Sequence, residues 1–271
     1  MTGVAGPTAA RLDDARAQGR AALVGYLPTG FPDVPAAVAA VRALVDAGVD
    51  VVELGVPYSD PVMDGPVIQA AVERALAGGV RVADTLRTVE AVAGTGVPIL
   101  VMTYWNPVVR YGVDAFARDL AAAGGAGLIT PDLIPDEAGE WLAASEAQGL
   151  DRVFLVAPSS TTERLALAAR SSRGFVYAAS TMGVTGVRAS VDADARRLVA
   201  DTRRAGAGHV CVGLGVSTPA QAAEVAEYAD GVIVGSALVR ALLDAPTPRE
   251  GLAELARVTA GLAEGVRGRV G

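Results

Sequence analysis

Short apolar runs rich in Val, Ile and Leu recur along the chain, each followed by a stretch whose apolar residues keep helical spacing. The runs predict strands near residues 22–27, 49–54, 98–102, 127–131, 152–156, 175–178, 209–212 and 231–234. Each run is apolar almost throughout, the pattern of a parallel strand covered on both faces. Helix punctuation fills the intervals. Asp33 with Pro35 opens a helix whose apolar positions Val34, Val38, Val41 and Val45 repeat at helical spacing until Gly48 ends it. Ser160 with Glu163, Thr218 with Gln221 and Thr247 with Glu250 read as capping boxes, and Pro219 and Pro248 stand at first helical positions. Eight strand–helix units without a break in composition predict one (β/α)8 TIM barrel domain over residues 1–271, with extra helices. An open doubly wound sheet is the alternative, and the pattern supplies no switch point for it.

The unit spacing is uneven. The interval between the second and third strands is the longest, and its surplus is the run Gly55-Val56-Pro57-Tyr58-Ser59-Asp60-Pro61-Val62-Met63-Asp64-Gly65-Pro66. Such a run predicts a long loop with an extra helix at the barrel mouth, where βα loops build active sites. Just before it, Glu53 sits inside the apolar Val51-Val52-Glu53-Leu54. Desolvation raises the pKa of such a carboxylate into the range of a proton carrier, unless an arginine pairs with it at the strand end. Asp64 follows eleven positions later. It reads either as an Asp-Gly turn capping the next helix or as a second functional acid; two carboxylates in unlike surroundings can act as proton carrier and fixed anion. Asp60 is a third candidate, with a turn role favoured by Ser59-Asp60-Pro61.

Three glycine-rich turns follow the last three strands: Gly183-Val184-Thr185-Gly186, Gly213-Leu214-Gly215 and Gly235-Ser236, each expected to precede a helix. Glycine lets backbone N–H groups approach an anion, a helix N-terminus favours negative charge, and this architecture often binds phosphate after strands seven and eight. Tyr104 and Tyr177 stand near the ends of strands three and six, placed for the mouth or for core packing. His209, the single histidine, starts the seventh strand at the opposite end and reads as structural.

The 271 residues are 51% hydrophobic and carry a formal net charge of −7, which excludes disorder and argues against a nucleic-acid partner. Residues 1–20 are polar, residues 91–109 are broken by Gly and Pro, and Cys211 is the one cysteine. These features point to a cytoplasmic chain without a membrane span or disulfide scaffold. One histidine and one cysteine make a transition-metal site unexpected. All 23 basic residues are arginine. Without lysine no side chain can form a Schiff base with a carbonyl substrate, so a lysine-dependent aldolase is excluded. An isomerase on a phosphate-binding barrel and a barrel that only activates a partner are the remaining alternatives.

Together these segments resemble the tryptophan synthase alpha chain family. The likeness runs through Gly25-Tyr26-Leu27-Pro28-Thr29-Gly30-Phe31-Pro32, the block from Glu53 to Asp64-Gly65-Pro66, Gly183 to Gly186, and Gly235-Ser236. It implies retro-aldol cleavage of indole-3-glycerol phosphate to indole and D-glyceraldehyde 3-phosphate. Glu53 would be the acid/base group and Asp64 the acceptor of the indole N–H. Tyr26, Met102, Tyr104, Ile129 and Tyr177 would surround the substrate. Thr185 would help order a loop over residues 179–190. Gly186, Gly215, Gly235 and Ser236 would hold the phosphate. The resemblance further implies no cofactor on this chain and a beta chain carrying pyridoxal phosphate. That partner would complete an α2β2 heterotetramer, docking on loops with Asp60, Asn106 and residues 132–135. Val62-Met63, Ile134 and Leu214 depart from the residues common in the family.

Overall fold

In the computed structural model, eight parallel strands close on themselves in sequence order. The structure describes residues 6–179, 188–213 and 215–268, with the side chains of 188–192 left aside. The strands are β1 (Ala22–Pro28), β2 (Val51–Gly55), β3 (Ile99–Met102), β4 (Gly127–Thr130), β5 (Asp151–Val156), β6 (Val176–Ala179), β7 (Val210–Gly213) and β8 (Gly231–Val234). The closing pair, β1 with β8, aligns Ala22 with Gly231 and Gly25 with Val234. An open sheet is thereby ruled out.

Helices cover the outside. α1 (Pro7–Ala17) precedes β1, and α2 (Val34–Asp46) follows it. The long interval after β2 holds two helices, α3 (Pro66–Ala77) and α4 (Val82–Val92), as its surplus length predicts. α5 (Trp105–Tyr111) and α6 (Val113–Ala122) follow β3. Then come α7 (Gly139–Gln148), α8 (Thr162–Ser171), α9 (Arg188–Arg204) and α10 (Pro219–Ala226). After β8 the chain ends in α11 (Ser236–Leu243) and α12 (Pro248–Arg267). Among the described residues no helix is long and apolar enough to cross a membrane.

Alternation within the strands separates two cores. Val52 and Leu54 face the helix layer, whereas Val51 joins the barrel interior with Val24, Leu100, Ile129, Val153, Phe175 and Cys211. Glu53 shares the interior phase of Val51. That phase decides where its carboxylate goes.

The local punctuation holds with exceptions. Asp33 Oδ1 accepts from Ala36 N at 2.8 Å, and Gly48 adopts φ +101°, a conformation strained for other residues. The helix it ends buries Ala37, Ala40, Val41 and Leu44; Val34, Val38 and Val45 are only half-buried, so the inward face is rotated from the valine row. Thr218 and Gln221 form the expected capping box. Thr247 caps α12 by accepting from Glu250 N. Ser160 does not cap α8. The adjacent Thr161 does, while Ser160 Oγ accepts from Ala157 N at 3.0 Å within the turn.

α1 falls in the polar stretch and was not among the expected elements. It closes the N-terminal end of the barrel, burying Leu12 and Ala15 in the interior core. Long-range side-chain contacts strap it down. Thr8 N donates to Asp151 Oδ2 (3.1 Å), Arg16 Nη2 to Asp230 Oδ1 (2.8 Å), and Asp13 Oδ1 meets His209 Nε2 (2.9 Å). His209 thus serves the closed end, as its position predicts.

Candidate active site

β2 ends at the open mouth, and its register sets Glu53 between Tyr26 of β1 and Leu100 of β3. The glutamate is 1% exposed, and its Oε2 has no hydrogen-bond partner among the described residues. No arginine among the described residues pairs with it. Burial, then the nearby charge of Asp64, raises its pKa to about 8. At neutral pH the carboxyl is therefore largely protonated and ready to donate.

Asp64 lies on the loop between β2 and α3. Among the described residues its side chain caps nothing: α3 starts from Gly65 without a side-chain cap, and the Asp64 carbonyl accepts from Gln69 Nε2 at 2.8 Å. Half-buried, its carboxyl is raised from the ordinary aspartate value by desolvation. Both acids line one cavity of about 1640 Å³. Asp60 stays outside it, exposed and bonded to Ser59 Oγ at 2.6 Å.

Tyr26, Met102 and Tyr177 line the same cavity. Two strand-end glycines make room for the rings. A Cβ on Gly55 would stand 2.3 Å from Tyr26 Oη, and one on Gly213 would stand 2.5 Å from Tyr177 Oη. Both are strand-end glycines beside an aromatic on the paired strand, which is the signal that marks them. Ile129 is fully buried in the interior core, opposite Met102 in the β3–β4 register. Tyr104 stands just past β3, within electrostatic reach of Asp64 and Tyr26. Its hydroxyl accepts from Val62 N and Met63 N, both at 3.0 Å, and so ties down the segment leading into Asp64. Its ring packs on Tyr58 at 5.1 Å.

Gly215, Gly235 and Ser236 also line the cavity. Gly235 is the N-cap of α11 and Ser236 its first residue, so free backbone N–H groups begin there. Gly215 adopts φ +64°. Its turn does not lead straight into a helix: α10 begins only after Val216, Ser217 and the Thr218 cap. Thr185, Gly186 and the rest of residues 180–187 lie outside the described residues, as does Leu214. Val216 and Ser217 also line the cavity, and no motif announced them. Among the described residues no three His, Cys, Asp or Glu side chains gather to hold a metal ion.

This geometry has close counterparts. The family model described as "Tryptophan synthase alpha chain" matches residues 12–267. Tryptophan synthase alpha chains of Mycobacterium tuberculosis (strain ATCC 25618 / H37Rv) and Salinispora arenicola (strain CNS-205) are each 66% identical over 255 residues. The matches cover 94% of this chain and 92% and 96% of those proteins. A crystal structure of tryptophan synthase from M. tuberculosis in an open form superposes with TM-score 0.90 at 61% identity, covering 97% of this chain and 100% of that one. The tryptophan synthase alpha subunit of Legionella pneumophila gives 0.89 at 31% identity, covering 97% and 99%. The chain belongs to the tryptophan synthase alpha chain family.

Proposed function

We propose that Glu53 and Asp64 divide between them the chemistry of the alpha reaction. That reaction, given to the chain by its family, is the lyase step of tryptophan biosynthesis that cleaves indole-3-glycerol phosphate to indole and D-glyceraldehyde 3-phosphate. The observation that carries the division of labour is the buried Glu53 carboxyl, with one oxygen unpartnered, sharing a cavity with a second acid.

The protonated Glu53 donates to C3 of the indole ring, leaving a cationic indolenine. Asp64, ionised, accepts the indole N–H and stabilises that cation. The Glu53 carboxylate then takes the proton from the hydroxyl on the adjacent side-chain carbon. As that oxygen becomes the aldehyde carbonyl, the carbon–carbon bond breaks and its electron pair restores the aromatic ring. The net change is one proton moved from oxygen to carbon, and Glu53 ends protonated again.

Tyr26, Met102 and Tyr177 form the apolar wall for the ring system. The N–H groups at Gly215, Gly235 and Ser236 receive the phosphate, joined by Gly186 from the family pattern. Neither a Schiff base nor an organic cofactor enters on this chain; pyridoxal phosphate belongs to a beta chain that receives the indole in a cytoplasmic α2β2 assembly. Its docking face is supported by Val62, Met63, Val109 and Ile134. These four large apolar side chains are 80%, 47%, 51% and 42% exposed, on elements that also carry the exposed Asp60, Asn106 and Asp132.

The test is indole release from indole-3-glycerol phosphate by the chain alone and with a beta chain. The parent is weakly active alone and gains strongly with the partner, while Glu53→Gln and Asp64→Asn lose about 10³-fold or more in either setting. Parent-like turnover by Glu53→Gln overturns the assignment.

A further inference from the structure

Arg240 stands one helical turn beyond Ser236 on α11, exposed, and lines the cavity that holds Glu53 and Asp64. Residues four apart share a helix face, and helical side chains lean toward the N-terminus. A guanidinium at this position shares the helix face of Ser236 and is within reach of the turn where the free N–H groups of α11 begin.

The charge around it is lopsided. Besides the largely protonated Glu53, the acidic and basic residues lining the cavity are Asp64, Asp244, Glu250, Glu254 and Arg257. Arg257 is taken up by Glu254, with Nε donating to Oε2 at 2.7 Å and Nη2 to the second oxygen. No carboxylate among the described residues pairs with Arg240, Asp244 one turn later included. Arg240 is thus the one unpaired cation among the described residues lining an otherwise acidic cavity, on a chain of net charge −7. A phosphate monoester entering that cavity meets repulsion that neutral amides alone do not cancel.

We propose that Arg240 is a substrate-binding residue that grips the terminal phosphate from the flank of α11 and offsets the acidic field of the mouth. The proposal rests on the assignment of the phosphate to Gly215, Gly235 and Ser236. A forked guanidinium suits phosphate oxygens, and its charge also draws the anion in from solution. Chemistry at the indole end stays with the two acids, so Arg240 acts on affinity rather than on bond cleavage.

Steady-state indole release by the full chain tests this, with Arg240→Gln and Arg240→Lys compared with the parent at low and high ionic strength. Arg240→Gln raises KM about tenfold, keeps kcat within about twofold and flattens the dependence of KM on salt. Arg240→Lys recovers most of the loss, and the paired change Arg257→Gln with Glu254→Gln, which removes an already neutral ion pair, leaves KM within about twofold of the parent. Because Arg240 is exposed, the variants fold, and thermal melts confirm it. A parent-like KM and salt dependence in Arg240→Gln overturns the proposal. Inorganic phosphate and glycerol 3-phosphate separate the two layers of the argument: failure of both to compete with substrate in the parent overturns the phosphate assignment itself.

Discussion

At the scale of single residues, the proposed chemistry rests on one burial. Glu53 occupies an interior position that an apolar side chain would fill at no electrostatic cost, and its ionised form has no partner there. Its folded pKa of about 8 lies above the unfolded value, so the folded state holds the proton more tightly. Ionisation of Glu53 therefore costs stability progressively as pH rises from about 4.5 toward 8. Glu53→Gln removes that cost: its melting temperature exceeds the parent's by a margin that is small at pH 5 and grows to pH 8, readable by calorimetry. A margin independent of pH contradicts the buried-acid account. Activity follows the same group. The alkaline limb of kcat/KM against pH falls near 8 as Glu53 loses its proton, and the acid limb marks ionisation of Asp64 above the ordinary aspartate range. Since the charge of Asp64 contributes to raising Glu53, the residual activity of Asp64→Asn shows its alkaline limb at lower pH.

At the scale of elements, the loop after β2 owes its shape to residues on other strands. Tyr104, just past β3, holds the backbone of Val62 and Met63 through one hydroxyl. Tyr104→Phe keeps the ring packing on Tyr58 and frees two N–H groups. Turnover should fall about tenfold as Asp64 loses its fixed place, with KM changed far less, since the phosphate grip is untouched. Gly55→Ala acts by crowding. Its methyl would overlap the Tyr26 hydroxyl, so the ring shifts toward the cavity and KM rises. The strands were legible because buried parallel strands read as unbroken apolar runs, and all eight observed strands fall within two residues of their expected bounds. Other features were less so. At 160–161 two hydroxyl residues compete for one cap, and backbone geometry picks the second. The face of α2 is set by small alanines packing close to the barrel, which a row of valines conceals. The helix α1 has little amphipathic contrast, and its place is fixed by distant acids at Asp151 and Asp230 that no local pattern reveals.

At the scale of the whole molecule, stability and reaction sit at opposite ends of the barrel. Asp151, fully buried, accepts from the first turn of α1 and lies 3.4 Å from Arg173 Nε, far in sequence from every cavity-lining acid. Asp151→Ala unties α1 and strands Arg173. Chemical denaturation should register a loss of about 2–4 kcal/mol, while kcat of the folded fraction stays near the parent's. The two proposed acids stand out in the sequence because a lone carboxylate in an apolar strand and an Asp-Gly on an overlong loop break the local rules. Their convergence does not, since it depends on barrel closure bringing the loop after β2 over the interior.

A density map of the chain with a non-cleavable indole-3-alkyl phosphate bound tests that convergence most directly. The account predicts the indole N–H on the Asp64 carboxylate, C3 facing Glu53, and the phosphate on the amides of Gly215, Gly235 and Ser236. An indole ring turned away from Glu53, or a phosphate seated elsewhere, would contradict it.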